Sequence, residues 1–284
     1  GKMVRPRLHF VIPPTGSTYT KEDFQESLGK IISEALAQHD YAIGQFSNPK
    51  MLVSVKGIGD IQRFFDSREY EGLKRIGYRV YAVASDEKIG NNINGEKVSR
   101  SEFLKQMKAD GKDPSKKMLI LHYDILAEGI DVPGITAIMP LRTLGKAKFL
   151  QTFGRAARLD IDDRKMMESG KIGANDLDKM IKPYSWVIVP TIIHEDADSK
   201  EHIGTLIEEL RNYGFKPSED ILSTNSKNGL PTIIGPEALN EVKKKCPKIG
   251  EYIEKVEADY ENEYLASLSD EERIRYILTK EGVL

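Results

Sequence analysis

The segment QTFGRAARLD, residues 151–160, places Gln151, Arg155 and Arg158 within an arc of about 60° if the chain is helical and turns about 100° per residue. Leu150, Phe153 and Ala157 fall on the opposite side, so an apolar face can bury while two guanidinium groups point outward. Two neighbouring arginines repel each other unless an anion lies between them, and the oxygens of a phosphate match their forked N–H donors. Gly154 lacks a side chain, which lets a ligand or another backbone approach closely. A bare Arg-x-x-Arg is more often a solvated helix face, so the chemistry needs a second feature. DILAEGIDVPG, residues 124–134, supplies one: Gly129 and Pro133 make a tight strand-to-loop transition. Asp131 is then set to accept a hydrogen bond from a hydroxyl such as that of a ribose.

In this order and separation the two segments resemble motifs of superfamily 2 helicases and translocases. DILAEGIDVPG is similar to their motif V, and QTFGRAAR to their motif VI, of the form Q-x-x-G-R-x-x-R. MLVSVKG and VYAVAS are similar to weaker, strand-borne motifs, and the resemblance covers residues 1 to about 195. It implies the second RecA-like domain of such a motor, with Gly129 and Asp131 contacting or coupling to the nucleotide ribose. Gln151 would help to position the motif, while Arg155 and Arg158 would reach the γ-phosphate, Arg158 as the arginine finger. A guanidinium so placed offsets charge on the transferring phosphoryl group, an effect of ~1,000-fold or more in rate. Nucleic acid would cross the loop ends of the strands at Lys56, Gly57 and Ser85, with Arg142 and Lys146 as further phosphate contacts. Many relatives carry Thr where Tyr123 precedes Asp124; the ring replaces a hydroxyl-to-phosphate contact and either stacks on a base or packs in its loop.

A motor of this class needs a Walker A loop, and each Gly-Lys pair (at 1, 29, 111, 145 and 170) precedes a residue other than Ser or Thr. VYAVASDEK imitates a Walker B strand ending in Asp86-Glu87, but reads as a core strand entering a loop. HEDADSKEH (194–202) has metal-ligand residue types without the H-E-x-x-H spacing, so no metal is assigned. The resemblance therefore implies the C-terminal half of a longer ATP-dependent helicase or translocase. ATP with Mg2+ would be bound mainly by an N-terminal RecA-like domain of the same protein, and residues 1–284 alone would not hydrolyse it. ILAEGIDVP and LQTFGRAAR look closest to helicases of restriction systems and of bacteriophage or bacterial DEAD/DEAH-like proteins, which favours DNA over RNA. The alternative is a noncatalytic module of RecA-like fold that holds nucleic acid or a protein partner.

The elements that must position these residues alternate between helix and strand. ESLGKIISEALAQH carries Leu28, Ile31, Ile32, Ala35 and Leu36 at helical spacing, and KMLVSVKG reads as a strand. Residues 58–76 suggest a second, broken helix before the strand YRVYAVAS, and 86–97 reads as a loop. Ser99 with Glu102 makes a capping box for a helix containing Phe103, Leu104 and Met107. KMLILH, ITAIMPL and SWVIVPTII read as strands, with a helix over 146–159 between the last two. This alternation predicts an α/β fold, a RecA-like parallel sheet flanked by helices, with an α-helical C-terminal subdomain. The expected divisions are a linker and first strand over 1–20, the RecA-like domain over 21–198, and a helical appendage over 199–284. The appendage's apolar stripe fits packing against the sheet, and equally a seat for a nuclease domain or restriction subunit.

Composition narrows the classes further. At 284 residues with 39% hydrophobic and 30% charged residues the chain can bury a core, and no stretch approaches the ~18 apolar residues of a membrane helix. Lys and Arg total 42 against 44 Asp and Glu, so nucleic-acid contacts must be local rather than spread over a basic surface. Cys246 stands alone, which excludes an internal disulfide and a paired-cysteine zinc site and fits a reducing cytoplasm. The apolar run in GKMVRPRLHFVIPP is broken by Pro13 and Pro14 too soon for a signal peptide. Gly-Lys before Met3 reads as a cloning remnant or the edge of something longer.

Overall fold

The computed structural model describes residues 3–11, 26–44, 47–123, 132–142, 144–190, 197–224, 231–245 and 247–282. The chain opens with β1 (Arg5–Val11), α1 (Leu28–Ile43), β2 (Lys50–Ser54), α2 (Ile58–Phe65), α3 (Arg68–Arg75) and β3 (Tyr78–Val83). It continues through β4 (Asn91–Ile93), β5 (Glu96–Lys97), α4 (Arg100–Lys112), β6 (Lys117–His122), β7 (Ala137–Pro140), α5 (Lys146–Ala156), α6 (Ile161–Glu168) and β8 (Tyr184–Pro190). The remainder is α7 (Ala197–Arg211), α8 (Pro217–Asp220), β9 (Ile221–Thr224), β10 (Pro231–Ile234), α9 (Pro236–Lys245), α10 (Pro247–Ser267) and α11 (Asp270–Lys280).

Among the described residues these strands form one ten-stranded sheet, ordered β10-β9-β1-β8-β7-β2-β6-β3-β4-β5. The seven strands from β9 to β3 run parallel, and antiparallel pairs occur only where β10, β4 and β5 extend the edges. Strand side chains alternate between faces. Leu52, Tyr81, Met118, Ile120, Ile138 and Val187 face one core with Phe103, Phe149, Phe153 and Leu210. Met51, Val53, Val80, Leu119, Leu121 and Ile188 face the other with Ile31, Leu36, Ile61 and Phe64. Both faces are covered, which is why these strands are continuous apolar runs. The expected parallel sheet flanked by helices is thus present.

Three departures have local causes. The expected loop over 86–97 holds the β4–β5 hairpin, because Asn94 (φ 52°) and Gly95 (φ 90°) both take the left-handed conformation that a tight hairpin turn requires. The carboxyl-terminal segment, helical over most of its length, also contributes β9 and β10; four-residue strands carry too short an apolar pattern to be distinguished from helix by period. The helix expected over 146–159 stops at Ala156, and α6 follows where no element was expected. Among the described residues no helix is long and apolar enough to cross a membrane.

Candidate functional site

Parallel strands give the sheet two chemically distinct ends, and ligands of open α/β sheets gather outside the carboxyl ends. Lys56 and Gly57 follow β2, Ser85 follows β3, Tyr123 follows β6 and Arg142 follows β7, so the structure brings these five expected residues to one end. Ladder bonds continue past the strands, from Val55 N to His122 O at 3.0 Å and from Leu141 N to Ser54 O at 2.9 Å. Beneath them, buried Ser54 Oγ lies 2.8 Å from His122 Nε2. Lys56 and Ser85 are exposed, while Tyr123 and Arg142 are half-buried, with the guanidinium 5.1 Å from the ring centroid. Asp60 accepts from the main-chain N–H groups of Lys56 (3.0 Å) and Gly57 (3.1 Å), fixing that loop, and a Cβ on Gly57 would meet nothing within 4 Å. Lys146 opens α5 and lies 2.5 Å from the buried carboxylate of Glu209, so this expected phosphate contact also holds α7 to the core.

From there α5 runs back toward the amino ends of the strands, about 16 Å at 1.5 Å per residue. Phe153 and Ala157 are fully buried and Leu150 half-buried, while Gln151 is exposed and Arg155 half-buried, matching the expected faces. A Cβ on Gly154 would meet nothing within 4 Å, so space lies beside the arginines. Arg158 lies two residues beyond the last residue of α5. Val4 N donates to Ala157 O at 2.9 Å, and Met3 and Arg158 form an antiparallel bridge that draws the chain out of the helix at the amino end of β1. The Arg158 side chain remains exposed.

Gly129 and Asp131 lie outside the described residues, as do 194–196 of the weighed metal segment. The residues directly after Asp131 are held at the same amino end as Arg158. Gly134 has φ +71°, and a Cβ there would stand 2.3 Å from Gly111 O; one on Gly111 would stand 2.6 Å from Pro133 O. This backbone crossing admits only glycine on either side. Lys50 Nζ donates to Gly111 O (2.7 Å) and Asp113 O (2.8 Å) beside it.

Sequence reasoning missed the basic groups that build this end. Lys182, 5% exposed, donates from Nζ to Arg158 O at 2.5 Å, and Asp163 accepts from the backbone N–H groups of Ile181 and Lys182, each at 2.8 Å. Burial pushes Lys182 down to about 7, and lowers Lys50 as well. Thr136 Oγ1 accepts from Lys50 N at 2.9 Å and lies 2.8 Å from His39 Nε2. His39 and His9 are fully buried near Trp186, with ring centroids 5.7 and 6.5 Å from the indole, and burial pushes them down to about 3 and about 4. A lysine at the start of a buried strand was the available signal, but its burial depends on neighbours remote in sequence.

No protein-family model matches the chain, and neither does any curated protein. Among solved structures the chain is similar to an ATP-dependent Type ISP restriction-modification enzyme, LlaBIII, bound to DNA, at 11% identity and a TM-score of 0.47. It is also similar to the Mycobacterium smegmatis helicase Lhr bound to ssDNA and AMP-PNP, at 13% identity and a TM-score of 0.42. A third is Mss116p DEAD-box helicase domain 2 bound to an RNA duplex, at 12% identity and a TM-score of 0.34. These comparisons cover 88%, 87% and 87% of this chain, and 17%, 28% and 88% of the respective neighbours. The chain thus spans only a small part of the first two proteins. In architecture it is similar to helicases and an ATP-dependent restriction enzyme.

Proposed function

We propose that the chain is the C-terminal half of an ATP-dependent nucleic-acid helicase or translocase. One observation carries the reading: the ends of the two motif-like segments, residues 132–134 and 157–158, are both fixed at the amino end of one parallel sheet, with Arg158 exposed there. In this reading an N-terminal RecA-like domain holds ATP and Mg2+ through a P-loop, which this sequence does not contain. Closure against the amino end brings Arg155 and Arg158 onto the phosphates, Gln151 steadies their helix, and Gly129 and Asp131 engage the ribose. Arg158, as the arginine finger, offsets charge on the phosphoryl group in flight.

At the carboxyl end, Lys56, Gly57, Ser85 and Arg142 contact the phosphates of a strand while the Tyr123 ring meets a base. Lys146 adds a further cation there. DNA is preferred to RNA on the wording of the motifs, and a nuclease domain or restriction subunit is the expected companion. The absence of a P-loop in these 284 residues also suits the noncatalytic reading, in which only the carboxyl-end contacts operate.

The test is ATP hydrolysis by the full-length protein with and without single-stranded DNA. Hydrolysis should rise with DNA, and Arg158→Ala should lower kcat by ~1,000-fold at equal folding and ATP binding. Unchanged turnover in the variant would leave the noncatalytic reading in place.

A further inference from the structure

Arg158 combines an exposed side chain with a captured main chain. Val4 N holds the preceding carbonyl, Met3 bridges the residue itself, and Lys182 Nζ reaches Arg158 O at 2.5 Å. The lysine contact is the unexpected member of this set. Water can satisfy a carbonyl at the surface with little penalty, whereas placing an ammonium at 5% exposure forfeits most of its hydration. Asp163 increases the commitment, because its carboxylate accepts from Ile181 N and Lys182 N and so fixes the lysine's own backbone. Local rules are broken in this way chiefly where a function requires the geometry.

We propose that Lys182 is a positioning residue for Arg158: its Nζ donates to the Arg158 carbonyl and fixes it, and thereby the direction in which the guanidinium leaves the sheet. The proposal rests on the motor reading above, and adds a residue outside both motif-like segments. Lys182 touches no substrate; it acts through the main chain of Arg158. A guanidinium displaced by about 1 Å loses on the order of 100-fold in rate, so the tether matters in the transition state more than in ATP binding.

A double-substitution cycle in the full-length protein tests this, with kcat and KM for ATP measured in saturating single-stranded DNA. Lys182→Met should lower kcat by about tenfold or more while KM stays within about twofold. Lys182→Gln, which keeps a donor, should recover part of the loss. Combined with Arg158→Ala, Lys182→Met should add nothing beyond about twofold, because a tether is worthless once the group it aims is gone. Full multiplication of the two losses would overturn the proposal, as would a loss in KM alone. If Lys182→Met does not fold by circular dichroism, Lys182→Gln carries the same cycle. An inert Arg158→Ala would be a different result, sinking the motor reading and this proposal with it.

Discussion

The two ends of the sheet use their basic groups in opposite ways. At the amino end Lys50 and Lys182 are buried and hydrogen-bonded to main-chain carbonyls, and His39 lies against Thr136. At the carboxyl end Lys56 is exposed and Arg142 half-buried over a tyrosine ring. The former cations act as internal fasteners, and the latter lie at or near the surface. The difference teaches that the amino end is a seat of fixed geometry that carries the exposed Arg158, while the carboxyl end is a surface. Charge counting would have treated all of them alike.

Breaking the seat should have the largest effect on stability. Gly134→Ala puts a methyl where Gly111 O already stands, at a φ of +71°, and should cost ~3 kcal/mol or more in urea unfolding. Gly57→Ala at the other end, with nothing within 4 Å of its Cβ, should cost under ~1 kcal/mol. Equal losses would erase the distinction between the ends.

Acid should come next. His9 and His39 are held far below the 6.5 of an unfolded histidine, at about 4 and about 3, by burial. The unfolded chain therefore binds protons that the native chain refuses, and stability falls as pH drops from 6.5 toward 4, by about 3 kcal/mol per histidine. Lys182 follows the same sign higher up: its burden is complete below about 7 and lifts as pH rises toward 10.5. Urea midpoints across pH 4–10 would show both arms, and Lys182→Met should flatten the upper one.

The smallest expected change sharpens the comparison. Gly154 sits inside α5 with open space beside it, so Gly154→Ala should stabilise the isolated chain by ~0.5–1 kcal/mol. If the proposed motor reading holds, the same methyl in the full-length protein would enter the gap against which the second domain closes. Stability should rise while DNA-stimulated turnover falls.

Much of this architecture was legible in sequence, for identifiable reasons. Strands such as KMLILH are buried on both faces, so their apolar runs are unbroken, and α1 and α4 show their period and, at Ser99, their cap. The loop reading of 86–97 passed over the Asn94-Gly95 turn, because a hairpin with a two-residue partner strand resembles a loop. The helical projection was carried through Arg158, whereas α5 ends at Ala156. Its end is set by Val4 and Met3, far away in sequence. Lys182 and Lys50 were invisible as site builders for a related reason: a lysine is ordinarily solvated, and only the assembled sheet shows which carbonyls these two reach.

The central claim is that the two ends do separate work, and one paired measurement addresses it directly. Single-stranded DNA affinity and DNA-stimulated ATP turnover would be measured for Arg158→Ala and Arg142→Ala in the full-length protein, at one salt concentration. Arg158→Ala should lower turnover by ~1,000-fold and leave DNA affinity within about twofold; Arg142→Ala should weaken DNA by about tenfold and restore near-normal kcat once DNA saturates. If both substitutions impaired both quantities alike, or if Arg158→Ala reduced only DNA binding, the division of the sheet into a nucleotide end and a nucleic-acid end would be wrong.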